Sequence, residues 1–428
     1  MDGNIRSTEN TAPSANSGSG KKAHERPGKL IVDASDLEVV LNQIDESKEF
    51  GLDLEFIPER TYYPIICLVQ INVQEKVYLV DPIKLQDLNL LWQRVADPSI
   101  VKVVHAASQD LSIIFQRSNL IPQNIFDTQI AAGFLGLGHP AGYGKLLSSL
   151  FDIILSKTES FTDWQARPLS QSQIDYAIDD ALHLLPLYHR IKDELIERKR
   201  LEWVIEECRL YEQPYYYIKE SGREFLRVKG AQGLHRRKLA VLQALCLWRD
   251  AEAKRKDRPA RSVLSDNIML ELARKPPEDL SDIQRIRGVR PDQLQGWGKH
   301  IIKVVEEAKL LTETELPHWP AGRAPSKSDV LIADVLYMVL KLGSQDLAIA
   351  PELISTREEL QSFVRLGKAR LSSASAEKES EESDHPLLNG WRFDLVGSQL
   401  LRILDGEKIS LTVAANSESP VRLSVEKD

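Results

Sequence analysis

The stretch EFGLDLEFIPERTYYP, residues 49–64, places two carboxylates inside an otherwise apolar run. Asp53 and Glu55 stand two positions apart, so on a β-strand their side chains would share one face. Two carboxylates this close repel each other, and burying them is costly unless a cation neutralises the charge. A divalent ion such as Mg²⁺ takes oxygen ligands of this kind. The pair by itself also fits a strand with one solvated polar face, so other residues must decide between these readings.

The composition is that of a soluble protein with two or three domains: 428 residues, 42% of them apolar and 28% charged. The net charge of −8 argues against nonspecific nucleic-acid binding by the whole surface, but not against a local basic face. No apolar run is long enough to cross a membrane. Residues 1–28 lack the apolar core of a signal peptide and predict a disordered tail. Cys67, Cys208 and Cys246 lack metal-ligand spacing, and a reduced, cytoplasmic compartment is expected.

The first half of the chain predicts strands followed by helices. The strand-like runs are GKLIV, FGLDLEFI, IICLVQINV, KVYLVDP and IVKVVHA. Asp36 is expected to cap the helix after the first strand. The segment NIFDTQIAAGFLG is expected to be helical, and residues 170–200 are expected to form one long helix that Pro186 kinks or ends. This order of elements predicts an α/β domain with a mixed sheet.

The second half of the chain predicts helices throughout. From about Gly230, apolar residues recur at steps of three and four. A Pro-rich linker follows this region, and a third helical segment begins near Asp329. A Ser- and Glu-rich insertion interrupts the third segment, and the last residues are expected to be frayed.

Three further polar residues stand where they would support a metal site. Asp110 lies near the start of the helix that follows the strand IVKVVHA. Its alternative role is a favourable interaction with the helix dipole. Tyr176 and Asp180 are four residues apart and therefore share one face of the predicted long helix.

Together these segments resemble a known family of nucleases. GLDLEF, VVHAASQDLSIIF and YAIDDALHLLPLY resemble the three motifs of the DEDD 3′–5′ exonucleases, and most closely those of ribonuclease D. The resemblance covers roughly residues 29–200. The basic helical region that follows resembles the HRDC domain, a helical module shared by RecQ-type helicases and ribonuclease D. It implies a ribonuclease H-like α/β exonuclease domain, with a mixed sheet flanked by helices, followed by all-α HRDC helical bundles.

The resemblance also assigns candidate site residues. Its motifs place the metal-binding acids at Asp53, Glu55, Asp110 and Asp180, and the water-orienting tyrosine at Tyr176. In related enzymes a catalytic histidine stands five residues before the last acid. Here that position is an aspartate, Asp175, which indicates the tyrosine subclass. Asp127 is expected to cap a helix or to play another structural part.

The implied activity is that of a 3′–5′ exoribonuclease, which removes nucleotides from RNA 3′ ends by hydrolysis with two divalent ions, Mg²⁺ or Mn²⁺. Nucleoside 5′-monophosphates are the implied products, and tRNA precursors with single-stranded 3′ ends are the implied substrates. No membrane contact and no dedicated protein partner are expected. The alternatives are a 3′–5′ DNA exonuclease, which the acids cannot exclude, and an inactive nucleic-acid-binding scaffold, which the intact acid set argues against.

A basic segment is the candidate for RNA contacts. Residues 219–275 contain 15 Lys and Arg against 7 Asp and Glu. A solvated helix surface is the alternative. Phosphate contacts are expected from the cations at the two ends of one predicted helix: Arg236, Arg237, Lys238, Lys254, Arg255, Lys256 and Arg258. The tyrosines at 215–217 could stack on bases, or equally pack between the first two domains.

The predicted organisation has five parts. They are a tail at 1–28, an exonuclease domain at 29–212, an HRDC domain at 227–311, a linker at 312–328 and a second HRDC-like domain at 329–415. The insertion near 372–386 is expected to be disordered.

Overall fold

A six-stranded mixed sheet forms the centre of the first domain. The computed structural model describes residues 28–155, 162–218, 222–319, 325–372, 385–416 and 420–425. The spatial order of the strands is β1-β4-β3-β2-β5-β6. Strand β3 runs antiparallel to both of its neighbours, β2 and β4, and the other pairs are parallel. The strands are β1 Gly28–Ile31, β2 Glu49–Ile57, β3 Ile65–Val73, β4 Lys76–Val80, β5 Val101–Val104 and β6 Ile125–Asp127.

Helices cover both faces of this sheet, in agreement with the predicted mixed sheet flanked by helices. Their apolar residues and those of the strands form two buried clusters, one on each face. The α/β fold predicted for this domain is confirmed. The helices are α1 Ala34–Ser47, α2 Asn89–Val95, α3 Ser108–Ser118, α4 Thr128–Gly133, α5 Tyr143–Phe151, α6 Gln171–Leu182, α7 Leu184–Glu197, α8 Leu201–Cys208 and α9 Pro214–Tyr217.

Three local predictions in this domain were wrong in detail. Asp33, not Asp36, caps α1, and its side chain accepts a hydrogen bond from the Asp36 N–H. Residues 125–127 form strand β6 rather than helix. Gly28 is the first residue of β1, so the strand includes the last residue assigned to the disordered tail. Residues 1–27 lie outside the described residues.

The predicted long helix is two helices that break at His183. Helix α6 ends at Leu182 and α7 begins at Leu184, which places Pro186 in the first turn of α7. A proline has no N–H to donate to the carbonyl four residues earlier, and its ring collides with that carbonyl. In this chain that carbonyl belongs to Leu182. The proline therefore ends α6 and lets a new helix start.

The helical region that follows forms a bundle with its own core. Apolar residues along the long helix α10 pack against those of α12 and α14. Trp297 and Ile301 of α14 are buried there. The predicted all-α bundle is confirmed. Its helices are α10 Arg236–Lys256, α11 Ala260–Val263, α12 Asp266–Arg274, α13 Leu280–Gln284 and α14 Pro291–Lys309.

The C-terminal segment packs on the exonuclease domain rather than standing apart. Its buried residues belong to the same apolar cluster as α4, α7 and α8. The ring of Trp391 stacks on Trp203 at 5.7 Å and meets Phe134 edge-on at 4.9 Å. Helix α15 begins at Lys327, inside the predicted linker. The helices are α15 Lys327–Asp346, α16 Pro351–Ile354, α17 Arg357–Ser372, α18 Gly390–Arg392 and, after the π-helical residues Phe393–Gly397, α19 Ser398–Leu404.

A two-stranded hairpin lies near the end of the chain, and residues 426–428, the last of those predicted to be frayed, lie outside the described residues. Strands β7 Ile409–Val413 and β8 Val421–Val425 pair as an antiparallel hairpin. Most of the predicted disordered insertion, residues 373–384, lies outside the described residues. His385 and Pro386, its last two residues, are described: His385 caps the short 3₁₀ turn Pro386–Leu388.

Candidate active site

Strand β2 holds two of the acids near the middle of the sheet. Leu52 and Leu54 are buried on one face, which anchors the strand in the core. Asp53 and Glu55 lie half-buried on the other face. The register between β2 and β3 shifts after Glu55, so a β-bulge follows the acid pair. The strand interior tolerates two acids because its polar face opens towards the site.

Helix α6 brings the third acid over this face. Its start is fixed by a capping box, in which Ser170 and Gln173 satisfy each other's backbone N–H groups. Asp180 lies one turn after Tyr176, and the Tyr176 hydroxyl donates a hydrogen bond to the Asp180 carboxylate. The Tyr176 ring lies 6.0 Å from Trp164. The helix thus presents a carboxylate and a phenol together.

Asp53, Glu55 and Asp180 form a carboxylate cluster suited to a divalent cation. One oxygen from each residue lies within 4.8 Å of the others. Carboxylate oxygens are the ligands that Mg²⁺ and Mn²⁺ prefer, and their combined negative charge requires compensation. The donor set therefore fits a hard divalent ion.

Asp110, the fourth predicted acid, stands next to this cluster rather than within it. It lies in the first turn of α3, directly after β5, which pairs with β2. Its negative charge raises the pKa of both Asp53 and Glu55, so it shares their electrostatic environment. Asp127 has the structural part expected of it: its side chain caps α4 and also accepts from the Ala106 N–H at 3.0 Å.

The four acids hold protons more tightly than ordinary carboxyls. Burial raises the pKa of Glu55 to about 8, with Asp180 and Asp110 adding to the effect. Burial raises the pKa of Asp110 to about 7 and that of Asp180 to about 6. For Asp53, burial and then the charges of Asp110, Asp180 and Glu55 raise the pKa well above its usual range. Without a cation, the site cannot be fully ionised near neutral pH.

Two polar side chains beside the acids were missed from the sequence. Gln70 lies opposite Asp53 in the β2–β3 pairing and is fully buried. Tyr143, at the start of α5, has a buried hydroxyl, and the charges of Asp180 and Asp53 act on it. The polar Gln70 within the apolar run IICLVQINV was the available signal. Tyr143 carries no comparable signal, because it reaches the site by tertiary packing.

Five of the seven predicted RNA-contacting cations have partners within the helical region. Arg237 pairs with Glu313 at 2.5 Å, and Lys254 pairs with Asp250 at 2.8 Å. The carbonyl of Leu316 accepts a hydrogen bond from Arg236 at 3.0 Å. These contacts reduce the free positive charge of the segment. The other two paired cations both contact Glu252: Arg255 at 2.8 Å and Lys256 at 3.3 Å.

The tyrosines at 215–217 divide between the two predicted roles. Tyr217 stacks on Phe115 of α3 with ring centroids 4.9 Å apart. Tyr216 shares a hydrogen bond with Ser108 of the same helix. Both are therefore used in packing on the exonuclease domain, whereas Tyr215 is 69% exposed.

Comparison with known proteins identifies the family. A family described as a 3′–5′ exonuclease matches residues 29–196, and the HRDC domain matches residues 238–305. Ribonuclease D of Granulibacter bethesdensis is 34% identical over 381 residues, which cover 88% of this chain and 93% of that protein. The chain belongs to the ribonuclease D family. Ribonuclease D of Bartonella henselae is 31% identical over 90% of this chain and 92% of its own length.

A solved structure supports the same family assignment. The crystal structure of Escherichia coli RNase D, described as an exoribonuclease involved in structured RNA processing, superposes with a TM-score of 0.76 at 28% identity. The match covers 88% of this chain and 98% of that one. Membership of the ribonuclease D family makes the chain a 3′–5′ exoribonuclease. Among the described residues, no helix combines the length and apolarity that a bilayer crossing requires.

Proposed function

We propose that this ribonuclease D family member trims RNA from the 3′ end with two divalent ions held by Asp53, Glu55, Asp110 and Asp180. The observation that carries the proposal is the convergence of three carboxylates within 4.8 Å, with a fourth beside them. Two ions, Mg²⁺ or Mn²⁺, would supply a hydroxide nucleophile at neutral pH and stabilise the leaving oxygen.

The protein's own groups prepare the site for that chemistry. Asp53, on strand β2, would serve as a ligand together with Glu55, Asp110 and Asp180. The Tyr176 phenol, held beside Asp180, would orient the attacking water by a hydrogen bond. An unperturbed phenol titrates near ~10, which favours orientation over proton abstraction.

The proposed substrates are RNAs with single-stranded 3′ ends, including tRNA precursors. The HRDC bundle adds cations for phosphate contacts. The cations at 236–238 and 254–258 are proposed to contribute part of this affinity. The internal ion pairs of Arg236, Arg237, Lys254, Arg255 and Lys256 predict a modest contribution from each of these five.

Product analysis on labelled nucleic acids tests the function. With Mg²⁺ or Mn²⁺, 5′-labelled RNA should give a ladder shortened one nucleotide at a time, and 3′-labelled RNA should release labelled mononucleotide at once. Chelation should stop both reactions. Matched DNA tests the DNA exonuclease alternative. Internal cleavage products, or full activity in chelator, would contradict the proposal.

A further inference from the structure

The loop between β2 and β3, residues 58–64, joins the acid-bearing strand to the HRDC domain. The Tyr62 hydroxyl donates a hydrogen bond to Asp250 of α10 at 2.7 Å. Its ring packs against the HRDC core, and the Lys254 ammonium lies 5.6 Å from the ring centroid. A residue of the exonuclease domain is thus inserted into the second domain.

A second HRDC carboxylate fixes the main chain of the same loop. Asp257 Oδ1 accepts hydrogen bonds from the N–H groups of Tyr62 at 3.0 Å and Tyr63 at 3.2 Å. Asp257 ends α10 in a left-handed conformation, with φ at 45°. This conformation turns the chain at the helix end beside the loop. Two carboxylates of one helix therefore hold consecutive residues of the loop.

Arg60, which precedes Tyr62 in the same loop, contacts residues 163–165, and Trp164 of that segment packs near Tyr176. Arg60 Nη1 donates to Gln165 Oε1 at 2.7 Å, and its Nη2 lies 3.7 Å from Asp163. These two partners flank Trp164, whose ring lies 6.0 Å from that of Tyr176.

Helix α3, which carries Asp110, holds the loop from a third side. Arg117 Nη2 donates to the Pro64 carbonyl at 2.7 Å. The loop therefore contacts the HRDC domain, the segment before α6 and the helix of the fourth acid. A displacement of the loop would therefore alter the contacts with each of these three neighbours.

Arg60 carries a guanidinium, a group suited to binding a phosphate of an RNA 3′ end. Its side chain is 49% exposed, and its partners are the uncharged Gln165 and, at 3.7 Å, Asp163, which is itself 56% exposed. A site made of four acids repels phosphates, so a guanidinium on the loop that follows the acid-bearing strand would offset that repulsion and can bind phosphate through two N–H groups. The usefulness of Arg60 depends on the loop being held still.

We propose that Arg60 contacts a phosphate of the bound RNA and that Tyr62 is a positioning residue through which the HRDC domain holds Arg60 on the loop that follows the acid-bearing strand. The inference rests on the proposed exonuclease function. It assigns to the HRDC domain an effect on turnover that is separate from its own contacts with RNA. Loss of the hydrogen bond from Tyr62 to Asp250 should therefore slow cleavage even of a trinucleotide, a substrate too short to depend on contacts between the HRDC domain and RNA.

Steady-state kinetics of Tyr62→Phe tests this role. The variant keeps the ring in the HRDC core and removes the hydrogen bond to Asp250. We expect kcat on a trinucleotide to fall about fivefold, the effect of one net hydrogen bond. The Arg60→Ala variant should be slower still, and adding Tyr62→Phe to it should change nothing further, because both act through one contact. Arg60→Lys should recover part of the loss.

Two further variants keep the test decisive. Asp257→Gly removes the second carboxylate while suiting the positive φ, and it should also lower kcat. Tyr78→Phe is the matched control: it removes a hydroxyl bonded to Gln43 at 2.8 Å, on β4 of the same sheet, and should leave kcat unchanged. An active wild type with unaltered kcat for Tyr62→Phe and Asp257→Gly would overturn the inference. An inactive wild type would instead overturn the proposed function.

Discussion

At the scale of single residues, the fold brings four acids together at a cost in stability when they are ionised. The raised pKa values of Asp53, Glu55, Asp110 and Asp180 all have burial as their largest cause. A carboxyl with a folded-state pKa above its unfolded value costs stability once the pH exceeds the unfolded pKa. In metal-free protein, stability is therefore lost as pH rises from about 4 to about 8. A bound cation reverses this cost, so metal binding and folding are coupled.

The Asp53→Asn variant should separate the cost of repulsion among the acids from the stabilisation by a bound cation. It removes one charge from the repelling set, so we expect a higher melting temperature than wild type in chelator at pH 8. We also expect a smaller rise in melting temperature on adding Mg²⁺, and no detectable exonuclease activity. Thermal unfolding with chelator or Mg²⁺, together with the labelled RNA assay, measures all three. Full activity in the purified variant would remove Asp53 from the site.

At the scale of elements, β5 carries a buried titratable group, the amine of Lys102. Lys102 is fully buried, and its ammonium donates to the carbonyls of Asp97 at 2.6 Å and Ile100 at 2.7 Å. Burial lowers its pKa from 10.5 to about 7. The unfolded chain therefore binds a proton that the folded chain has released between these two pH values. Stability from this group rises with pH across that window.

The Lys102→Met variant should lack this pH dependence. Relative to the variant, wild type should gain stability from pH 7 to pH 10 by up to ~1.4 kcal/mol per pH unit, the effect of one proton. Urea unfolding at several pH values measures the difference. Lys303→Met is the control, since that side chain is 75% exposed. Parallel curves for wild type and Lys102→Met would contradict the assignment of a neutral buried lysine.

At the scale of the whole molecule, the C-terminal segment completes the exonuclease core. Arg392 forms a bidentate ion pair with Glu207 of α8, to which Trp391 Nε1 also donates at 2.8 Å. Arg200 donates to the Leu347 carbonyl at 2.7 Å. The Ala350 N–H donates to the Gly133 carbonyl at 2.8 Å, which ties the segment to the end of α4. The HRDC domain thus lies in the sequence between two parts of one core.

Replacing Trp391 by alanine should destabilise the catalytic domain from a distance. Loss of a buried tryptophan costs about 3–5 kcal/mol, and here the cavity would lie against Phe134 and Trp203. Residual exonuclease activity on a short RNA after heating should fall at a lower temperature than for wild type. Leu331→Ala is the control in the same segment, because Leu331 is 67% exposed. Equal inactivation temperatures for Trp391→Ala and wild type would show that the packing of Trp391 does not stabilise the catalytic domain.

The strands and the acids were predictable because their signals are local. A two-residue period puts Asp53 and Glu55 on one face, and a four-residue step pairs Tyr176 with Asp180. The cap of α1 and the strand β6 were mispredicted because short segments carry little periodicity. The partners of Arg236 and Arg237 were not predictable, because Leu316 and Glu313 become their neighbours only through the tertiary packing of the helical region. Asp250, in contrast, stands four residues before Lys254 on the same helix, so that pair was predictable from the sequence.

The sequence by itself determined the family and the α/β and helical domains, because each depends on residue types in local patterns, and it supplied the acids proposed for the site. Tertiary structure alone decided that Asp110 stands beside the carboxylate cluster rather than within it. It also decided that the HRDC domain grips the loop after β2 through Tyr62, and that the C-terminal segment shares the exonuclease core. The reason is physical: these contacts join residues far apart in the chain, and their energies depend on packing and distance, which no local pattern encodes.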